Sequence, residues 1–293
     1  MRFEFLGTGT SSGVPAIGCT CAVCTSDDPR DRRLRCSALL RFTDPTGAPR
    51  CILIDAGPDL RQQALRAGMT SLDAILFTHN HVDHTWGLDE VRRFNALMDA
   101  PIDIYADDHT IKFLRHVYRH IFDRAANIND SFVADLIAHR IEPAKPFDLF
   151  GLRVTPIPLV HGKANVLGFR FDRASDAVED DGLLPLAYCT DCSGIPPKAW
   201  PLLSGLRTLV LDALRHRAHP THLTLSRAIE IAQNIDADRT WFVHMSHDLP
   251  HAETCADLPE RISLAWDGLI LDDSAQGKPA RHGGEGGTRP GHG

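Results

Sequence analysis

The stretch FTHNHVDHTWG, residues 77–87, places His79, His81, Asp83 and His84 within six positions, directly after an apolar run that reads as a buried strand. Histidine offers a neutral nitrogen to Zn²⁺, Mn²⁺ or Fe, and a carboxylate can bridge two ions. Two histidines at i and i+2 cannot share a helix face. They can converge on one ion if the backbone turns sharply after the strand, which leaves Asp83 and His84 facing a second position nearby. A polar loop that merely caps the next helix explains such a density of ligand-type side chains poorly.

Working outward, strand-like runs recur at 2–6, 37–42, 50–55, 74–78, 102–105, 152–156, 166–171, 185–190, 208–212, 240–244 and 262–271. Helical patterns are expected at 59–67, 88–98 and 108–121. The clearest is the apolar stripe Leu225, Ala228, Ile229, Ala232 and Ile235. Strands with short connections come first and helices fall between later strands, so the class is α/β or α+β with more than one layer. No internal boundary or repeat is evident, and 173–182 is short enough to be an acidic hairpin loop. One domain is expected over 1–273, followed by a Gly-rich disordered tail over 274–293, in which His282 and His292 are solvated.

The net charge of −7, from 31 basic and 38 acidic residues, argues against a general nucleic-acid binder. A small phosphorylated substrate stays compatible, because bound ions supply positive charge locally. No apolar run approaches the roughly 20 residues that span a bilayer, so no membrane partner is expected. The N-terminus carries no signal-peptide pattern and the eight cysteines read as thiols or metal ligands, so a cytoplasmic location is expected.

The HxHxDH pattern of His79, His81, Asp83 and His84 resembles the signature of the metallo-β-lactamase superfamily, and the resemblance extends to about residue 273. It implies a four-layer αβ/βα sandwich with a two-metal site at one edge. ILIDAGPD (52–59) resembles the family's Asp-Gly element, which makes Asp55 a partner that orients the cluster. Three further candidates stand in family order: His161 in VTPIPLVHG, Asp191 in LAYCTDCSG and His244 in TWFVHMSH. By resemblance, His79, His81 and His161 hold one ion, Asp83, His84 and His244 hold the other, and Asp191 bridges them. A bridging aspartate here resembles the phosphodiesterases and ribonuclease Z-like members rather than the lactamases. Two ions about 3.5–4 Å apart suit phosphoester displacement and lower the pKa of water toward neutrality.

A second array, IGCTCAVC, puts Cys19, Cys21 and Cys24 close enough for a tetrahedral zinc site that lacks one ligand. With GTGTSSGVPAIGCTCAVC (7–24), the resemblance narrows to PhnP-type phosphodiesterases, and it implies His247 as the fourth ligand. Cys36 and Cys51 read as core residues. Cys189 and Cys192 match a redox C-x-x-C only formally, and Cys255 carries no signal. The same resemblance makes His222, just before the stripe helix, the acid for the leaving group, with Asp83 also in the catalytic set; His216 and His219 read as solvated loop residues. A small phosphodiester, cyclic ones included, is the expected substrate, with two active-site ions (Zn or Mn) and one structural Zn. A homodimer is compatible with the superfamily. The rival readings are a ribonuclease Z-like nuclease, which would need a long basic arm absent from this sequence, and a non-catalytic metal-binding protein on the same scaffold. A thioester hydrolase of the glyoxalase II kind would need a further helical domain.

Overall fold

The computed structural model describes residues 1–123, 125, 132–174, 178 and 182–272. The tail at 274–293, with His282 and His292, and part of the acidic 173–182 segment lie outside them. The first sheet holds β1 (Arg2–Gly7), β2 (Ser37–Thr43), β3 (Pro49–Ile54), β4 (Ala74–Leu76), β5 (Ile102–Ala106) and β6 (Leu136–Arg140) in chain order. The second holds β7 (Phe147–Leu149), β8 (Leu152–His161), β9 (Ala164–Arg173), β10 (Leu186–Cys189), β11 (Thr208–Asp212), β12 (Arg239–Val243) and β13 (Ile262–Leu264), also in order. Each begins with antiparallel pairs and turns parallel, the first from β3 to β6 and the second from β10 to β13. A last strand, β14 (Ile270–Leu271), returns to pair antiparallel with β1.

Side-chain alternation along these strands feeds two different layers. Leu40, Ile52 and Ile54 point between the sheets, against Val154, Phe169, Phe171 and Tyr188. Their neighbours Leu39 and Leu53 point outward, under α1 (Leu60–Arg66), a short turn α2 (Val82–Thr85), α3 (Arg92–Met98), α4 (Asp108–Val117) and α5 (Arg119–Phe122). On the far side, Leu209, Leu211 and Phe242 pack under α6 (Leu225–Ile235) and α7 (His251–Asp257). The result is the expected helix–sheet–sheet–helix sandwich. Helix α6 starts where Thr224 accepts from the Arg227 N–H, and it buries Leu225, Ala228, Ala232 and Ile235 of the expected stripe together with Ile231, while Ile229 is only partly buried. No helix among the described residues is long and apolar enough to cross a membrane.

Several expected elements differ. The run 262–271 is not one strand: Ile262–Leu264 joins the second sheet and Ile270–Leu271 the first. Between them Asp267 accepts from the N–H groups of Thr8 and Leu34, and Gly268 adopts φ 91°. The segment 88–98 divides into a tight turn and α3, and 108–121 breaks at Tyr118. Strand β8 runs past Pro156 to His161, because β7 pairs only with its first residues and the prolines remove no ladder donor there. Strands β6 and β7 and helix α7 were not anticipated.

Candidate metal centre

The parallel strands of both sheets end at one edge of the sandwich, and that edge collects the ligand-type side chains. Asp55 follows β3, Asp191 lies two residues past β10 and His244 follows β12. All three have positive φ (61°, 53° and 61°), an uncommon state for residues with a Cβ. Such strain costs on the order of 1–3 kcal/mol per residue and persists where function requires the side-chain direction. After β4 the chain turns through His79–Asn80–His81 into α2, which carries Asp83 and His84. The turn is tight because Gly57 lets two segments touch: a Cβ there would stand 2.1 Å from the Asp83 carbonyl oxygen.

Two ligand-type groups result. His79, His81 and His161 offer nitrogens within 4.8 Å of one another, as do the donor atoms of Asp83, His84, Asp191 and His244. Asp191 stands between them. Its Oδ1 is 3.2 Å from His244 Nε2 and 4.0 Å from His79 Nε2, and its Oδ2 is 3.2 Å from His84 Nε2. Each ring is aimed from behind. Asp55 Oδ2 lies 2.7 Å from His84 Nδ1, and Thr78 Oγ1 lies 3.0 Å from His79 Nδ1. His161 Nδ1 donates to the Thr221 carbonyl at 2.7 Å. Fixing one ring nitrogen this way turns the other toward the centre.

These residues fit divalent metal ions. Nε2 of His79, His84 and His244 is buried without a hydrogen-bond partner, an arrangement that costs free energy unless something binds there. Burial holds His244 down to about 3 and also depresses His79, leaving neutral imidazoles with a lone pair to give. Buried His84 touches Asp55, Asp83 and Asp191; burial opposes its charge, yet Asp191 and Asp55 raise its pKa well above the usual range. A pocket with that many carboxylates calls for positive charge.

His222 sits beside this cluster, its ring 4.4 Å from His244 and 4.7 Å from His161 between centroids. Its Nδ1 lies 2.8 Å from Asp212 Oδ2. Burial disfavours its charge, but the Asp212 carboxylate outweighs this and raises its pKa; burial in turn lifts Asp212 to about 6. Asp212 also accepts from the Leu223 N–H. The sequence reading missed Asp212, although an aspartate closing an apolar strand ten residues before a candidate acid was a usable signal. His219 is half-buried, with Nδ1 near Thr221, and its ring lies 5.2 Å from His222, so it is not simply solvated; His216 is exposed.

The cysteine array lies on the surface. His247 Nδ1 is 3.2, 3.5 and 3.3 Å from the sulfurs of Cys19, Cys21 and Cys24. Tetrahedral zinc bonds put sulfur and nitrogen ligands about 3.5 Å apart, so this set fits Zn²⁺. The Cys24 N–H holds the Cys21 thiol down to about 7, while burial pushes Cys24 up to about 11. Cys36, Cys51, Cys189 and Cys192 are buried, and Cys255 sits half-buried in α7.

A family profile described as "Beta-lactamase superfamily domain" matches residues 50–245. A crystal structure described as a new diphosphatase from the PhnP family is 43% identical, with TM-score 0.80, covering 92% of this chain and 97% of that one. The octanoyltransferase of Porphyromonas gingivalis (strain ATCC BAA-308 / W83) is 35% identical over 277 residues. That match takes in 93% of this chain but 52% of the relative, so the chain spans about half of that relative's length. Zn²⁺-bound PqqB from Methylobacterium extorquens shares the fold at 22% identity and TM-score 0.72, over 93% of this chain and all (100%) of its own. With two sheets, one ligand-lined edge and these likenesses together, the chain belongs to the beta-lactamase superfamily, on the metallo-β-lactamase fold and near the PhnP family.

Proposed function

We propose that this chain is a metal-dependent phosphodiesterase acting on small phosphodiesters, cyclic ones included. The observation that carries the reading is Asp191, whose two carboxylate oxygens face nitrogens of His84, His244 and His79 at once. In this reading His79, His81 and His161 hold one ion, Asp83, His84 and His244 the other, and Asp191 reaches both. The ions are Zn²⁺ or Mn²⁺, and a further Zn²⁺ sits on Cys19, Cys21, Cys24 and His247. Ions held there supply Lewis-acid polarisation of the phosphoryl group and the charge that lets water attack near neutral pH.

The protein's own groups do the rest. His222, fixed through Nδ1 by Asp212, keeps Nε2 for the leaving oxygen, and the Asp212 carboxylate stabilises the imidazolium that donates the proton. The similar structure at 43% identity is described as a diphosphatase, which supports hydrolysis of a phosphorylated substrate. The balance of 31 basic and 38 acidic residues favours a small substrate over tRNA. The test combines metal analysis with a hydrolysis screen over cyclic phosphates, linear diesters, diphosphates, monoesters and a tRNA precursor. Turnover of small diesters is expected. A protein with its ions bound and no turnover of any phosphoester would overturn the reading and favour a non-catalytic metal-binding role.

A further inference from the structure

The segment Cys189-Thr190-Asp191-Cys192 carries the chain off β10 at the ligand-lined edge, and all four residues are 0–2% exposed. Its two thiols belong to the apolar layer under α6 and α7. Burial pushes Cys189 up to about 12 and Cys192 well above the usual thiol range, so neither is a ready thiolate. They anchor the segment by packing. Thr190 is polar and just as deeply buried, and its hydroxyl donates to Asp191 Oδ2 at 2.8 Å.

That bond settles a freedom the backbone leaves open. The φ of 53° at Asp191 fixes where its Cβ points, but the torsion about Cβ–Cγ is broad in aspartate and lets the carboxylate plane turn. A carboxylate shared by two ions needs that plane fixed, because its oxygens face different partners. Oδ1 lies 3.2 Å from His244 Nε2, and Oδ2 lies 3.2 Å from His84 Nε2. Among the described residues, Thr190 is the one hydrogen-bond donor to Asp191 from outside the ligand set. Its hydroxyl occupies one of about four lone-pair positions on the carboxylate and leaves the rest for ions. The chain beyond is pinned too. The Ser193 N–H donates to the Val160 carbonyl at 2.7 Å, and the Val160 N–H donates to the Gly194 carbonyl at 3.1 Å, which ties the segment to the end of β8 beside His161. With the backbone held, the tilt of the carboxylate is what the hydroxyl decides.

We infer that Thr190 is a positioning residue for loading two ions: its hydroxyl sets the plane of the Asp191 carboxylate so that each oxygen serves a different ion. The inference rests on the two-ion reading above.

The alternative is that Thr190 matters only as a branched side chain filling the core, and two substitutions separate the roles. Thr190→Val keeps the branched shape and removes the hydroxyl, whereas Thr190→Ser keeps the hydroxyl and removes the methyl group. Each protein is stripped of its loosely held ions and reloaded with Zn²⁺ in competition with a chromogenic chelator, and the affinity of every ion beyond the cysteine-bound one is read. Thr190→Val should bind at least one ion of the buried cluster about 10–100-fold more weakly, the usual cost of losing a partner that orients a ligand. Thr190→Ser should bind both ions like the wild type and lose instead in melting temperature, because it leaves a methyl-sized void. The two readouts therefore rank the variants in opposite order. Should Thr190→Val not fold, Thr190→Ala against Thr190→Ser isolates the same hydroxyl in equally truncated side chains, and the alanine variant should show the weaker binding. Equal affinities with and without the hydroxyl, or a loss in Thr190→Ser as large as in Thr190→Val, would overturn the inference while the two-ion reading stands. Wild-type protein that takes up no ion beyond the cysteine-bound one would remove both.

Discussion

The buried cluster gathers seven ligand-type residues from four separate chain segments, whereas three of the four in the surface array come from the single stretch 19–24. His84, Asp191 and His244 are 0–2% exposed, the last two held past strand ends of the second sheet and His84 in the turn α2 that follows β4 of the first. Cys21 is exposed, and around the array the described residues form a small apolar cluster of Val14, Val23 and Cys24, with Ala16 and Cys19 packed against it. The first centre is positioned by the fold, and the second has too little core to hold itself. Losing a ligand should therefore cost chemistry in one place and local structure in the other. The segment from His244 to His247 belongs to both, so the two can still influence each other.

The largest effect should come from Asp191→Ala. The sheets and the cysteine-bound zinc should survive, one or both ions of the buried cluster should be lost, and turnover should drop to background. Metal counting on folded protein checks this, and retention of both ions with near-normal turnover would dissolve the two-ion assignment. Next, His222→Ala should keep every metal and lower turnover by about 10²–10⁴, the usual contribution of a placed acid or base. The loss should be greatest for alkyl leaving groups and least for nitrophenyl diesters, which depart without a proton. An equal loss on both would make His222 a phosphate-positioning group.

In the surface array the order of effects should reverse. Cys21→Ser or His247→Ala should release one zinc per chain and lower the melting temperature, with activity falling only as the 244–247 segment loosens. Structural zinc contributes folding free energy directly, so the stability change should track the zinc count. An unchanged stoichiometry in folded Cys21→Ser protein would show that the array is not a zinc site.

Both candidate clusters could be found in the sequence because their chemistry is dense: four ligand-type residues in 79–84 and three thiols in 19–24 stand out, and the structure brings each set together. The distant candidates His161, Asp191 and His244 were legible through family order, not through any local pattern. What stayed hidden depended on tertiary contact. Asp212 becomes a partner of His222 only when β11 and the loop before α6 meet, and the carbonyl that orients His161 belongs to Thr221. Strands β6 and β7 are short and half-exposed, so hydrophobic period gave them no signal. The run 262–271 is apolar at both ends, but its Asp267-Gly268 pair was a turn signal that the sequence reading passed over, and the closing of the two sheets assigns its halves to different partners.

The smallest predicted effect concerns the ground between the two centres. Arg33, buried beneath the shared segment, donates through Nη1 to the Ser246 carbonyl at 2.7 Å and pairs with Asp31 at 3.1 Å. Asp31 in turn accepts from the His251 N–H at 2.8 Å. His251 is 2% exposed and its Nδ1 has no partner among the described residues. Burial, reinforced by Arg30 and Arg33, holds its pKa down to about 4. An unfolded histidine titrates near about 6.5. Between those values the unfolded chain binds a proton that the folded chain refuses, so stability rises with pH across the window and is lost as pH falls from about 6.5 toward 4. One such group adds a slope of at most about 1.4 kcal/mol per pH unit. The metal ligands also titrate with acid, so the comparison must be wild type against His251→Gln at saturating zinc. The variant should show a shallower loss of stability in urea melts between pH 6.5 and 4.5, with equal metal content at pH 7.5. Identical slopes would mean that His251 takes up its proton within the fold, and that the acid response belongs wholly to the two ligand sets.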